Sequence, residues 1–200
     1  VYISNATELG SIYTLQELKD LYHLCQELNL LLYIDGARLA HALNASGNDI
    51  TWEDLASYTD AFYIGATKNG AIMGEAIVLN NTELQLGFEY HIKQKGALLA
   101  KGRFLGIQFL ELFQNNLFNE LALHANAQAK RIQDAFIEKG VHFLSHTPTN
   151  QVFPILTNEQ VALLQKQFDF YIWKKVDETH TAIRLITSWA TKPENVDPLI

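Results

Sequence analysis

The sequence is poor in cysteine. Cys25 is the only cysteine among 200 residues, so the chain cannot form an internal disulfide. This excludes the small secreted scaffolds that depend on disulfides, and a single thiol is typical of proteins from a reducing compartment. We therefore expect a cytoplasmic protein.

Positive charge is also scarce. Fifteen Lys and Arg residues stand against 22 Asp and Glu residues, which gives a formal net charge of -7. A nucleic-acid backbone requires a basic face, so the predicted partner is a small molecule and not a nucleic acid. No apolar run approaches the roughly 18 residues that cross a bilayer, and no secretory signal is present, so no membrane partner is expected.

The sequence lacks a polar lead-in segment. Val1-Tyr-Ile enters directly as an apolar strand, and the chain stops at Ile200 within a helix that begins near Pro193. Hydrophobic residues make up 48% of the chain, which is enough for a sizeable core. We expect one domain and part of another from a longer polypeptide.

Apolar runs alternate with helix signals in the first half. Strands are predicted near the N-terminus, at residues 30–34 and at residues 61–64, with helices starting at the capping boxes of Thr14 and Thr51. This alternation predicts an α/β fold with a parallel sheet between helical layers. The strand at residues 75–79 follows too soon for a crossover helix, so it is expected to be antiparallel or at an edge.

The second half has a different pattern. Residues 82–140 are predicted to be helical, with Gly140 closing the last helix. Short strands are predicted at residues 141–145, 151–156, 171–176 and 182–187, and a helix at residues 158–167. We assign residues 1–115 to the C-terminal part of a large domain and residues 116–200 to a small α+β domain that is truncated at its end.

Two ionisable side chains follow neighbouring predicted strands. Asp35 ends the run Leu30-Leu-Leu-Tyr-Ile-Asp35, and Lys68 follows Phe62-Tyr-Ile-Gly-Ala-Thr67. Open α/β sheets bind ligands at the carboxyl ends of their strands, so both groups are expected in one crevice. A carboxylate that pairs with a pyridine nitrogen and a lysine that forms a Schiff base are required by pyridoxal phosphate (PLP) enzymes. The alternatives are that Asp35 is only a helix N-cap and Lys68 only a turn residue.

Four segments together resemble the PLP-dependent low-specificity threonine aldolases of the β-eliminating lyase family. They are Ile3-Ser-Asn-Ala-Thr-Glu-Leu-Gly10, Asp35-Gly-Ala-Arg38, Tyr63-Ile-Gly-Ala-Thr-Lys68 and Ile183-Arg-Leu-Ile-Thr-Ser188. The resemblance implies fold type I, with the second half of the large α/β/α domain followed by the small domain. It also implies that the family's glycine-rich phosphate loop and ring-stacking histidine lie upstream of Val1. We therefore expect these 200 residues alone to bind PLP weakly or not at all.

The resemblance implies a role for each residue of the cofactor site. Asp35 pairs with the ring nitrogen, Lys68 bonds the cofactor, Ala37 lies under the ring, Arg38 contacts the 3-oxygen and Thr67 touches the phosphate. Taken alone, Ala37 is simply a helix residue, and Arg38 is a solvated or ion-paired charge.

The resemblance also implies substrate contacts. Arg184 is expected to grip the α-carboxylate with its two-toothed donor set, although an outward position on an alternating strand is the alternative. Independently of the resemblance, four polar residues follow the end of the first strand and are expected to line the pocket unless they only form a turn: Ser4, Asn5, Thr7 and Glu8. Lys101 falls where the family places basic residues that reach phosphate or substrate. The histidine spacing indicates no metal site.

These roles imply a lyase that cleaves threonine or allo-threonine to glycine and an aldehyde. Asp35 would keep the ring protonated, so that the ring accepts the electrons of the broken Cα–Cβ bond. One alternative is another fold type I PLP enzyme, either a β-eliminating lyase or an aminotransferase. A second is an inactive Rossmann-like binding fragment. The resemblance further implies a homodimer or homotetramer with shared active sites.

Overall fold

The computed structural model describes residues 1–200 and divides them between two sheets. The first part contains β1 (Tyr2–Ser4), α1 (Leu15–Glu27), β2 (Tyr33–Asp35), α2 (Leu39–Leu43), α3 (Trp52–Ser57), β3 (Ala61–Gly65), β4 (Glu75–Leu79), α4 (Thr82–Gln85), α5 (Phe88–Gln94) and α6 (Arg103–Phe113). The strand order of its sheet is β1-β2-β3-β4. The first three strands are parallel and β4 is antiparallel to β3, which confirms the predicted arrangement.

Helices α1 and α3 begin where the sequence predicts. The Thr14 side chain accepts from the backbone of Glu17, which bonds back to Thr14, and Thr51 and Asp54 form the same reciprocal cap at α3. Each cap satisfies two backbone donors that would otherwise be unpaired at a helix start. The N-termini of α1 and α3 are therefore set by local sequence.

The predicted start of the second strand is wrong by three residues. The chain leaves α1 through Asn29, whose φ is +53°, and the Leu30 N–H donates to the Cys25 carbonyl at 2.8 Å. The side chains of Leu30 and Leu31 are 44% and 47% exposed. Leu30 therefore closes the helix instead of entering the sheet, and pairing with β1 begins at Tyr33.

The second part forms the predicted small α+β unit. It contains α7 (Leu117–Glu138), β5 (His142–Ser145), β6 (Gln151–Thr157), α8 (Asn158–Leu164), β7 (Tyr171–Lys175), β8 (His180–Ile186) and α9 (Pro193–Val196). Its sheet is antiparallel throughout, with the order β5-β6-β8-β7. None of the helices combines the length and apolar character needed to span a bilayer.

Helix α7 belongs to both hydrophobic cores. Phe118 and Ala122, in its N-terminal half, pack in the core beneath the first sheet, whereas Ala129, Ile132 and Phe136 pack in the core of the second sheet. The change of core therefore falls inside α7, whereas the division at residue 115 stays a prediction. A single continuous helix holds the two sheets in a defined relation.

Hydrogen bonds also join the two parts near the ends of β1 and β2. The Asn126 side-chain amide, on α7, donates to the carbonyls of His41 and Asn44 at 2.9 and 3.1 Å. The Thr149 hydroxyl donates to the Gly10 carbonyl at 2.9 Å. The loops that follow β1 and β2 are therefore anchored to the second part.

Candidate cofactor and substrate site

The carboxyl ends of β1, β2 and β3 meet at one edge of the first sheet. Ser4 pairs with Asp35, and Ile34 pairs with Phe62, which places Tyr63 beside Asp35. This is the edge at which parallel sheets bind ligands. The structure thus brings together side chains from segments that are distant in sequence.

The Asp35 carboxylate is enclosed by donors. The Tyr63 hydroxyl donates to Oδ1, the Ala37 N–H donates to the same oxygen at 2.9 Å, and the Tyr2 hydroxyl donates to Oδ2. Partial burial opposes ionisation of Asp35, but these hydrogen bonds and the Lys68 charge outweigh it and lower the pKa of the carboxyl. Asp35 is therefore anionic at neutral pH.

Two glycines allow the Asp35 and Lys68 segments to touch through their backbones. A Cβ on Gly36 would lie 1.8 Å from the Tyr63 carbonyl oxygen, and a Cβ on Gly65 would lie 2.6 Å from the Ala37 carbonyl oxygen. The Gly65 N–H donates to the Gly36 carbonyl at 2.9 Å. Any larger residue at either position would push the two segments apart.

Lys68 lies on a short 3₁₀ turn, Thr67–Asn69, that follows β3. The Asn69 side chain is buried and donates to the Phe118 carbonyl at 2.8 Å, which ties the turn to the start of α7. Partial burial of the amine and the neighbouring Arg38 charge lower the pKa of Lys68, although the charge of Asp35 acts in the opposite sense. A lowered pKa increases the fraction of neutral, nucleophilic amine.

Glu75, at the start of β4, holds the same turn from the other side. Its carboxylate accepts from the Ala66 N–H at 2.9 Å and from the Thr67 hydroxyl at 3.1 Å. The hydroxyl that the sequence assigns to a phosphate contact is therefore bonded within the chain. The phosphate role of Thr67 stays a prediction.

Two arginines from different sheets lie close enough to affect each other. Burial lowers the pKa of Arg38 and the positive charge of Arg184 lowers it further, whereas Glu8 and Asp35 act in the opposite sense. The Nε atoms of both arginines are buried without a hydrogen-bond partner. Two partly buried cations that repel each other favour an anionic ligand nearby.

Arg184 is held by aromatic rings of β7. Its guanidinium lies 4.8 Å from the ring centre of Tyr171 and 5.0 Å from that of Trp173. Its neighbours Ile183 and Leu185 pack in the core against α7, so alternation along β8 turns Arg184 to the opposite face of the sheet. Stacking against two rings restricts the guanidinium plane, which suits a residue that binds a planar carboxylate.

The other predicted residues make few contacts that bear on their predicted roles. Ser4 is half-buried at the end of β1, and Ala37 is half-buried after β2. The Thr7 hydroxyl lies 2.7 Å from that of Ser11 and accepts from the Ser11 N–H, as in the turn that was the alternative. Lys101 is exposed in the turn before α6, and its side chain forms no hydrogen bond or ion pair. Their substrate roles stay predictions.

Two further polar residues near the site are buried, and one of them, His41, was not singled out from the sequence. His41, on α2, is 1% exposed and neither ring nitrogen has a partner. Burial, followed by the charges of Arg38 and Lys68, lowers the pKa of His41 to about 4, so its ring is neutral. Asn5 is equally buried with an unpartnered side-chain amide. Asn5 directly follows a predicted strand, and His41 lies in the short helix after the next one. A polar side chain within apolar surroundings was the signal that could have identified each of them.

The chain is similar to known proteins along its whole length. Residues 1–159 match the family model described as beta-eliminating lyase. The low-specificity L-threonine aldolase of Pseudomonas aeruginosa is 33% identical over 204 residues, a match that covers 100% of this chain and 57% of that protein. The chain therefore spans little more than half the length of the curated relatives that it matches over its full length.

Solved structures show the same fold. The threonine aldolase of Leishmania major superposes with a TM-score of 0.95 at 45% identity, covering 100% of this chain and 59% of that one. A PLP-dependent aminotransferase of Streptococcus suis superposes with a TM-score of 0.71 at 15% identity, covering 99% of this chain and 54% of the other. The second similarity concerns the fold alone, which is that of the fold type I PLP enzymes.

Proposed function

Because this chain belongs to the β-eliminating lyase family, we propose that it supplies the ring-binding and lysine-bearing part of a PLP-dependent lyase. The proposed reaction cleaves β-hydroxy-α-amino acids of the threonine type to glycine and an aldehyde. The observation that carries this proposal is the convergence of Asp35, Lys68, Arg38 and Arg184 on one sheet edge. Relatives named threonine aldolase, at 33% and 45% identity, support the choice of reaction.

The enzymes of this family use PLP, and the residues beside Asp35 fit the pyridine ring of that cofactor. We call Asp35, its hydroxyl and N–H donors, and Lys68 the ring end of the proposed site. An ionised carboxylate there can hold a proton on the ring nitrogen, which lets the ring act as an electron sink when it is bound. Lys68, with its lowered pKa, is a suitable amine for covalent attachment to the cofactor.

The two arginines support an amino-acid substrate. A substrate α-carboxylate bound to Arg184 would relieve the repulsion between the guanidinium groups of Arg184 and Arg38. Arg184 would then orient the substrate, so that the bond to be broken is held in a fixed direction relative to the ring. Binding and orientation are therefore assigned to residues from both sheets.

We call Thr67 and the turn around it the phosphate end. Phosphate sites need several backbone N–H groups that point to one place, usually at the start of a helix. Here the Ala66 N–H and the Thr67 hydroxyl both donate to Glu75. The phosphate end is thus less prepared for an anion than the ring end is for a pyridine.

Covalent labelling tests the proposed attachment. After incubation with excess PLP and reduction with borohydride, mass spectrometry is expected to find the cofactor on Lys68. Lys68→Ala is expected to abolish this label, whereas Lys130→Ala, at an exposed position of α7, is expected to retain it. A reduced label on a different lysine of the wild-type protein would refute the assignment.

Product analysis tests the proposed reaction. With threonine as substrate, the expected products are glycine and acetaldehyde in equal amounts. Ammonia with a keto acid would instead indicate β-elimination, and transfer of the amino group to an added keto acid would indicate an aminotransferase. Failure to form any cofactor adduct would favour the binding fragment without activity.

A further inference from the structure

Tyrosine hydroxyls reach Asp35 from both flanking strands. We propose that Tyr63 and Tyr2 are positioning residues that orient the Asp35 carboxylate and keep it anionic toward the pyridine nitrogen of the cofactor. This inference rests on the proposed function and deepens it, because it assigns a role to two residues that do not themselves react. The sequence presents both tyrosines only as aromatic residues of predicted strands.

Most acceptor positions of the Asp35 carboxylate are occupied. A carboxylate offers about four lone-pair positions, two on each oxygen. Oδ1 accepts from the Tyr63 hydroxyl and the Ala37 N–H, and Oδ2 accepts from the Tyr2 hydroxyl. Only one position, on Oδ2, is left for a further donor. A protonated pyridine nitrogen is a donor of this kind, so the three bonds define the direction from which it can approach.

The charge of Asp35 also depends on its hydrogen bonds. The carboxylate is partly buried, and burial alone would favour its neutral form, which cannot act as the ionic partner of the ring. The charged groups that also face it are the cations Lys68 and Arg38. Lys68 is the residue proposed to bond to the cofactor, whereas the Tyr63 and Tyr2 hydroxyls would stay available as donors to Asp35 in the loaded enzyme.

Both tyrosines remain hydrogen-bond donors at neutral pH. Burial and the hydrogen bond to Asp35 raise the pKa of Tyr63, and the same hydrogen bond raises the pKa of Tyr2. Neither hydroxyl therefore ionises near neutral pH. A hydroxyl that cannot ionise there donates to the carboxylate throughout that range.

Tyr33 provides a matched control. Its ring centre lies 5.8 Å from that of Tyr2 and 6.4 Å from that of Tyr63, in the same row of aromatic side chains. Its hydroxyl forms no hydrogen bond with Asp35. Replacing Tyr33 by Phe therefore removes a hydroxyl from the same cluster without removing a donor to the carboxylate.

The first experiment needs no cofactor. In the full chain with ¹³C-labelled aspartate carboxyls, the Asp35 signal is assigned by its loss in Asp35→Asn and is then followed against pH by NMR. Tyr63→Phe is expected to raise the pH midpoint of this signal by about one pH unit, because one hydrogen bond to a charged group is lost. Tyr2→Phe is expected to raise it less, since Tyr2 is 62% exposed. Tyr33→Phe is expected to leave it unchanged.

The second experiment uses the enzyme loaded with PLP. Tyr63→Phe is expected to lower kcat about tenfold with little change in KM, and to move the acidic limb of the kcat profile toward higher pH. Tyr33→Phe is expected to retain wild-type values. If circular dichroism shows that Tyr63→Phe is unfolded, Tyr2→Phe still tests the inference, because Tyr2 is exposed and its replacement is not expected to disturb folding.

The outcomes separate this inference from the proposed function. An unchanged Asp35 midpoint in both Tyr63→Phe and Tyr2→Phe, or an equal change in Tyr33→Phe, would overturn the inference even if Lys68 carries the cofactor. Shifted midpoints together with the reduced cofactor on a lysine other than Lys68 would overturn the proposed function and with it the cofactor-directed role of the tyrosines. Shifted midpoints together with the label on Lys68 would support both.

Discussion

The ring end and the phosphate end of the proposed site are built from adjacent residues but in different ways. At the ring end, Asp35 accepts three hydrogen bonds and retains one free acceptor position. At the phosphate end, the Thr67 hydroxyl and a backbone N–H are already bonded to Glu75. The first arrangement is prepared for a ligand, whereas the second is satisfied within the chain. Each end can therefore be perturbed separately.

The largest expected effect comes from breaking the backbone contact on which the ring end depends. In Gly36→Ala the new Cβ would lie 1.8 Å from a backbone oxygen, so β2 and β3 must separate. We expect a loss of at least about 3 kcal/mol in the free energy of unfolding. Gly106→Ala is the control, because nothing lies within 4 Å of its Cβ. Equal midpoints in urea unfolding for Gly36→Ala and wild type would contradict the close approach.

The next effect concerns His41, which is buried next to the charges of the ring end. Its pKa is about 4 in the folded chain and 6.5 as the ordinary value. Between these pH values the unfolded chain binds a proton that the folded chain does not, so stability falls as the pH falls through this range. The difference corresponds to about 3 kcal/mol between neutral pH and about pH 4.

This pH dependence is measurable by urea unfolding at several pH values. His41→Asn is expected to flatten the stability profile between about pH 6.5 and pH 4, since the titrating group is gone. His142→Asn, at an exposed position of β5, is the control and should keep the wild-type slope. A wild-type slope in His41→Asn would show that His41 is not held neutral.

A third prediction separates chemistry from binding at the ring end. Asp35→Asn keeps the size of the side chain but removes the charge that is proposed to hold a proton on the ring nitrogen. We expect kcat for threonine cleavage to fall about a hundredfold and KM to change much less. Asp134→Asn removes a carboxylate from an exposed ion pair on α7 and should leave both constants unaltered. Similar kinetics for Asp35→Asn and wild type would remove Asp35 from the mechanism.

A fourth prediction addresses the arginine supplied by the second sheet. Arg184→Lys retains a positive charge but loses the planar donor pair and the stacking on Tyr171 and Trp173. We expect KM for the amino acid to rise about tenfold with a smaller change in kcat. Arg131→Lys, in an exposed pair with Asp197, is the matched control. If kcat falls and KM does not change, Arg184 is not the carboxylate ligand.

The sequence predicted the two reactive residues of the site but not the side chains that hold the site in place. Asp35 and Lys68 were predicted as neighbours because both follow apolar strands, and the carboxyl ends of parallel strands share an edge. The roles of Tyr2, Tyr63 and Glu75 were not predicted, because they depend on which residues face each other across strands. Register is a tertiary property that one strand does not encode.

The same difference between local and tertiary information decides which helix and strand starts were predicted. The starts of α1 and α3 were predicted because a capping box is contained within four residues. The start of β2 was not, because Leu30 is apolar enough for a strand but its N–H closes the preceding helix. Apolar pattern alone does not distinguish a residue that ends a helix from one that begins a strand.

The smallest expected effect is the difference in affinity between PLP and pyridoxal, which tests the phosphate end. Pyridoxal has the ring and aldehyde of PLP but no phosphate. Because the residues around Thr67 are bonded to Glu75, this chain should gain little from the phosphate. We expect the dissociation constants of PLP and pyridoxal for the 200-residue chain, measured from the absorbance of the lysine adduct, to agree within about threefold.

Thr67→Val tests the same comparison from the protein side. If Thr67 does not reach the phosphate in this chain, the variant should bind PLP and pyridoxal in the wild-type ratio, even if both become weaker because the turn has lost its hydrogen bond to Glu75. A hundredfold preference for PLP that disappears in Thr67→Val would show that this hydroxyl leaves Glu75 to bind phosphate. The phosphate end would then be as well prepared as the ring end, and the contrast between them would fail.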